Sequence, residues 1–240
     1  MNTKLDLMAM MAHPDDAELS CGGTLAKHAA MGYKVGIVDL TEGEMGTRGT
    51  AAERKEEAEA AGKILGLCLR EQLYFQDAKF IIDEAHRIRV MQIIRKYRPE
   101  IVITNSPDDR HPDHARAAAL VKEAAWLSGL KKYETSLDGE KQEAWRPKYV
   151  YHAIQFKLHK PDFVVDISGY LEQKVQAILA FKSQFYNPNA TEPDTLISRP
   201  EFLETLKARN YTDGNHALID HAEGFLSAYT PAVKDLFDMV

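Results

Sequence analysis

The run Leu5–Ala12 is apolar but for Asp6, and it stops abruptly on His13-Pro14-Asp15-Asp16-Ala17-Glu18. A short apolar run of this kind suits a central strand covered on both faces. It is too short to cross a membrane, and no small-residue cleavage site follows it. The reading is therefore a buried first strand that delivers one imidazole and two carboxylates onto a proline-stiffened turn.

Strand and helix patterns then alternate. Lys34–Leu40, Glu71–Phe75 and Glu100–Asn105 read as strands, and Cys21–Met31, Ala51–Leu65, Asp83–Tyr97 and Asp113–Leu127 as helices. Such alternation predicts an α/β, Rossmann-like three-layer sandwich: a mostly parallel sheet with helices on both faces. Further on, Tyr149–Phe156 and Phe163–Asp166 read as strands, and Ser168 as the N-cap of a helix to about Gln184. Glu201–Asn210 and Ala232–Met239 read as helical, Asn187–Pro193 as a loop and Lys131–Arg146 as a surface excursion. No repeat or linker divides residues 1–240, which read as a single domain.

In open parallel sheets, ligands bind beyond the carboxyl ends of the strands. A second polar cluster, Asn105 to His114, follows the fourth strand and contains His111-Pro112-Asp113-His114. If strands one and four are neighbours, the two clusters meet. Zinc takes imidazole and carboxylate ligands, and catalytic sites use three of them with a water. A neighbouring carboxylate such as Asp15 is suited to carry the water's proton to a leaving amine. His111, protonated and oriented by Asp113, is expected to stabilise an oxyanion.

The pair of motifs resembles the LmbE-like, or PIG-L, de-N-acetylases, and within them most closely the bacillithiol-biosynthesis deacetylases. The block Glu42–Thr50 with Arg54 and Glu57 extends the likeness. The resemblance implies that His13, Asp16 and His114 bind Zn2+, with Fe2+, cobalt or manganese as other occupants of such a set. It implies Asp15 as base and then acid, and His111 with Asp113 at the oxyanion. Arg54 and Arg110 would hold substrate carboxylates, and Tyr186 would join the pocket. The implied substrate is a small amino-sugar conjugate, N-acetylglucosaminyl malate first, another N-acetyl sugar or a thiol conjugate as alternatives. Relatives of this kind also imply a homo-oligomer, a trimer or hexamer.

Two other classes compete with this reading. The turn after the first strand lacks the G-x-G-x-x-G spacing of a dinucleotide-binding enzyme. A non-catalytic sugar- or metal-binding protein needs no Asp15, which the ligand set leaves spare. The net charge of −6 carries no broad basic field, so no nucleic-acid partner is expected. Two cysteines, Cys21 and Cys68, make no disulfide framework. A cytoplasmic, membrane-free location is expected. The glycines at 43, 46 and 49 suggest a mobile loop bordering the site.

Overall fold

The computed structural model describes residues 4–233, 235 and 237. Its strands and helices follow in the order β1 (Leu7–Met11), α1 (Asp16–Ala30), β2 (Val35–Thr41), α2 (Ala51–Leu65), β3 (Leu69–Phe75), α3 (Glu84–Tyr97), β4 (Ile101–Asn105) and α4 (Pro112–Leu127). A two-residue hairpin, β5 (Ser136–Leu137) with β6 (Glu140–Lys141), leads to β7 (Tyr149–Ala153) and β8 (Phe163–Asp166). The chain continues through α5 (Leu171–Leu179), α6 (Phe202–His216) and β9 (Ala222–Ser227).

Seven strands form one sheet in the order β3-β2-β1-β4-β7-β9-β8. The first five in that order run parallel, and β9 runs antiparallel to both β7 and β8. Strand order reverses between β1 and β4, so their carboxyl ends open one crevice. This adjacency is what the two polar clusters require.

Alternation along β1 explains the layers. Met8 and Met10 pack with Val90, Ile94, Leu120 and Val121 of α3 and α4. Leu7, Ala9 and Met11 pack with Leu25, Ala61 and Ile178 of α1, α2 and α5. Side chains two apart share a face, so one uninterrupted apolar strand serves two cores.

Several boundaries differ from the sequence expectations. Helix α1 begins at Asp16, not Cys21; Cys21 instead marks a kink, with φ −142°. There the free N–H groups of Gly23 and Thr24 donate to Glu223 at 2.9 and 2.7 Å. Ser168 does not cap α5: its hydroxyl donates to Asp166, and the helix starts after Tyr170 and ends at Leu179. Helix α4 begins at Pro112 rather than Asp113, with His111 as its N-cap. Strand β9 has no counterpart in the sequence expectations; of the helix expected over Ala232–Met239, positions 234, 236, 238 and 239 lie outside the described residues, and the described ones are not α-helical. Among the described residues, no helix is long and apolar enough to cross a membrane.

Candidate metal and catalytic site

His13, Asp15 and Asp16 occupy the turn between β1 and α1. Asp15 has φ 107°, a left-handed backbone that Asp and Asn adopt more readily than most residues. The turn puts the Asp16 carboxylate between two imidazoles. Its Oδ2 is 3.2 Å from His13 Nδ1 and its Oδ1 3.1 Å from His114 Nε2. His114 stands in the first turn of α4, beyond β4. The topology thus joins His13, Asp16 and His114, with His111 alongside: its ring centroid is 4.8 Å from that of His13 and 5.0 Å from that of His114.

Four further residues hold this group, and sequence reasoning gives none of them a role. Asp77 Oδ1 lies 3.0 Å from His13 Nε2. Asp109 Oδ2 lies 3.3 Å from His114 Nδ1. Asn105 Nδ2 and Gln155 Nε2 donate to the two Asp16 oxygens at 3.2 and 2.8 Å. All four stand at or just beyond the carboxyl ends of β3, β4 and β7. The strand-end rule that singles out the first two clusters also points to the ends of β3 and β7.

Asp113 departs from its expected partner. Its Oδ2 is 3.4 Å from His13 Nε2 and accepts from Ala78 N at 2.8 Å, while Oδ1 pairs with Arg116. Toward His111 it offers only its backbone N–H, 3.3 Å from Nδ1. With Nδ1 accepting, the proton of a neutral His111 lies on Nε2. Burial lowers the pKa of His111, and the charges on His13 and His114 lower it further. The geometry therefore favours a neutral donor rather than the protonated, Asp113-paired imidazole expected.

Arg54 is also differently engaged. It is buried, and its Nη2 donates to Asp15 Oδ2 at 3.1 Å and to Pro14 O, while Nη1 donates to Gly43 O at 3.1 Å. Its charge is turned to Asp15 rather than left free for a substrate carboxylate. Arg110 is exposed, with its guanidinium 4.3 Å from the centroid of the Phe156 ring at the rim of the cavity. Tyr186 is half-exposed and does not line this cavity; its near neighbour Gln184 does. The glycine loop is tied to the site, with Met45 N donating to Asp77 Oδ2 at 3.1 Å and Asp77 N to Glu44 Oε1 at 2.7 Å. Glu18, the last residue of the first motif, is fully buried and paired with Arg70, which also grips Asp39. It fastens α1 to β2 and β3.

The electrostatics fit a cation. Burial opposes protonation of His13, yet hydrogen bonds to Asp113, Asp16 and Asp77 outweigh it and raise its pKa. Burial likewise opposes protonation of His114, but Asp16 and Asp109 push it up to about 9. Burial would raise Asp77, but His13 brings it down to about 2. The carboxylates therefore demand positive charge where the two rings meet, and protons supply it when nothing else does. A divalent cation is the natural competitor for those protons. Nδ1 of His13, the Asp16 carboxylate and Nε2 of His114 are zinc-type donors. Asp77 against His13 Nε2 fixes the tautomer that leaves Nδ1 free to ligate. The cavity over this group has a volume of about 220 Å³ and is also lined by Asp15, Arg110 and His111.

Known proteins share this frame. A family model described as PIG-L, GlcNAc-PI de-N-acetylase, matches residues 8–125. The diacetylchitobiose deacetylase of Thermococcus kodakarensis is 32% identical over 189 residues, 75% of this chain and 70% of its own. The 4-oxalmesaconate hydratase of Pseudomonas putida is 30% identical, spanning 98% of this chain and 94% of its own. A conserved protein from Thermus thermophilus has a solved structure with a TM-score of 0.86 and 36% identity. That match covers 97% of this chain and 98% of the other.

Proposed function

Because the chain belongs to the PIG-L family, we propose that it is a metal-dependent hydrolase that removes acetate from an N-acetylglucosaminide. The observation that carries this reading is the Asp16 carboxylate set between His13 and His114, with the spare carboxylate of Asp15 lining the same cavity. His13, Asp16 and His114 are the residues that would hold the cation, zinc by preference for its donor set. When bound, such an ion supplies Lewis-acid polarisation and a more acidic water.

Asp15 takes the proton of the attacking water and returns it to the departing nitrogen. With no cation present, burial raises its pKa, against the charge of Arg54, to about 7. Arg54 positions that carboxylate. His111 donates from Nε2 to the oxygen that gains charge in the tetrahedral intermediate. Asp113 acts on His13 and, through its backbone N–H, on His111.

For the aglycone, we favour malate. Arg110 at the cavity rim supports this choice, because its guanidinium can pair with a carboxylate. Arg54 also borders the cavity, but its guanidinium is engaged with Asp15, Pro14 and Gly43. The test is acetate release from N-acetylglucosaminyl malate and from other N-acetyl sugars by the zinc-loaded protein. Hydrolysis of another N-acetyl sugar alone would discard malate and keep the chemistry.

The likeness to a hydratase over nearly the whole chain supports a second reading, addition of water to a carbon–carbon double bond in an unsaturated acid. It leaves no leaving amine for Asp15 to protonate. Hydration of 4-oxalmesaconate without release of acetate from any sugar would establish it in place of the first.

A further inference from the structure

The sheet ends at β3, which pairs with β2 and has no strand on its other side among the described residues. At that free edge lies a cavity of about 350 Å³, lined by residues of β2, β3, α2 and α3. A space of this size takes a small ligand. It shares no lining residue with the cavity over His13 and His114.

Gln72 is the observation that singles this cavity out. It lines the cavity, stands opposite Asp39 in the register of β2 and β3, and is 8% exposed. Both Nε2 and Oε1 are buried, and neither has a hydrogen-bond partner among the described residues. A buried amide with donor and acceptor both unmet is costly, and an apolar side chain of similar shape removes that cost. The chain keeps an amide where the fold gives it nothing to bond.

Three carboxylates and three cations complete the polar lining. Asp39 accepts from Arg70 at 2.8 and 3.1 Å, and Glu71 from Lys96 at 3.0 Å. Arg70 is spent on Asp39 and Glu18. Lys55 and Glu59 have no oppositely charged partner within 4 Å among the described residues, and Arg89 reaches only Glu71, at 4.0 Å. Two cations and one carboxylate therefore remain for a ligand. Tyr74 adds an exposed ring on a left-handed backbone (φ 59°).

Different parts of one molecule meet these features. The side-by-side donor and acceptor of an amide match adenine, whose N6 amino group donates and whose N7 accepts. Bases stack on aromatic rings. Lys55 and Arg89 are suited to pair with a phosphate, and the Glu59 carboxylate to accept from a ribose hydroxyl. A bare anion leaves the amide and Glu59 unmet, and an uncharged ring leaves both cations unmet. We propose that the cavity at the edge of β3 binds an adenine mononucleotide. The site is independent of the deacetylase reading, whose failure leaves it standing.

The test is calorimetric titration of the zinc-loaded protein with AMP, GMP, adenosine and inorganic phosphate. AMP is expected to bind once per chain, with GMP and adenosine weaker by about tenfold or more. Gln72→Met and Arg89→Gln should each weaken AMP by about tenfold or more. Thermal midpoints near the wild-type value establish that the variants fold; if Gln72→Met does not, Arg89→Gln and Lys55→Gln carry the test. No binding of AMP at millimolar concentration overturns the site. AMP affinity unmoved by these substitutions, or lost on chelating the zinc with the fold retained, places the nucleotide elsewhere and also overturns it. Equal affinity for AMP and GMP removes the Gln72 amide from recognition, and phosphate binding as tight as AMP leaves only an anion contact. Either result overturns the adenine nucleotide.

Discussion

Nη2 of Arg54 lies 3.1 Å from Oδ2 of Asp15, and both side chains are almost entirely buried. A carboxylate at this depth is costly to ionise, and the guanidinium on α2 offsets part of that cost. The pair joins the α2 face to the turn after β1, so burial raises the proton affinity of the candidate base and a residue far away in sequence opposes that rise.

Asp15→Asn is expected to keep the cation and lose turnover by about 10²–10⁴-fold, the usual range for a removed acid–base group. Asn tolerates the positive φ of this position, so the backbone should not confuse the result. Metal content by elemental analysis and acetate release together provide the measurement. Turnover near the wild-type level would remove Asp15 from the reaction.

The pH profile follows from the sign of the Asp15 shift. The base form is the carboxylate, so activity is present above its pKa and lost as pH falls through it. Without a cation that pKa is about 7. A bound cation lowers it, placing the acid limb of kcat/KM below that value in the loaded enzyme. Arg54→Gln withdraws a positive charge and should move the limb upward. A limb unmoved by this substitution would show that Arg54 does not tune the base.

His114→Ala and His111→Ala should separate binding from turnover. The first removes the Nε2 that faces Asp16 and should weaken zinc affinity strongly. The second should keep most of the zinc and lose about 10²–10³-fold in kcat, as expected for one oxyanion donor. Equal zinc loss in competition with a chelator would overturn this division.

Gly43→Ala should disturb Arg54 without touching the metal group. A Cβ on Gly43 would collide with Arg54 Nη1, and the residue has φ 67°, which strains any side chain. We expect an acid limb displaced in the same direction as in Arg54→Gln, with zinc binding retained. An unchanged pH profile would show that the loop does not position the arginine.

Lys174 Nζ and Glu223 Oε1, 2.7 Å apart and fully buried, should act as a unit in folding. Removing either partner leaves a buried charge, at a cost of about 3–5 kcal/mol. Lys174→Met is therefore expected to destabilise strongly, and the double variant Lys174→Met with Glu223→Gln less so. Denaturant titration of the two variants gives the comparison; equal losses would mean the charges are not coupled.

Much of the site was legible because its residues sit where recognisable strands end. Leu5–Ala12 and Glu100–Asn105 are short apolar runs, and each is followed by His, Asp and Pro in a cluster. Asp77 and Gln155 gave no such signal. Asp77 follows a less obvious strand with no His or Pro beside it, Gln155 falls within the run expected as a strand, and the hydrogen bond of each to the site is made across the sheet. Strand β9 escaped notice because its run, Ala222–Ser227, carries Glu223, whose burial makes sense only beside Lys174 and the kink in α1.

The amino-acid order alone determined the layered α/β frame and the turns that carry imidazole and carboxylate, since hydrophobic periodicity and strand termination are local properties. Tertiary packing decided which group faces which: Asp113 toward His13, Arg54 toward Asp15, Tyr186 away from the cavity. Those pairings depend on loop paths and on the approach of separate strands and helices, and no local pattern along the chain records them.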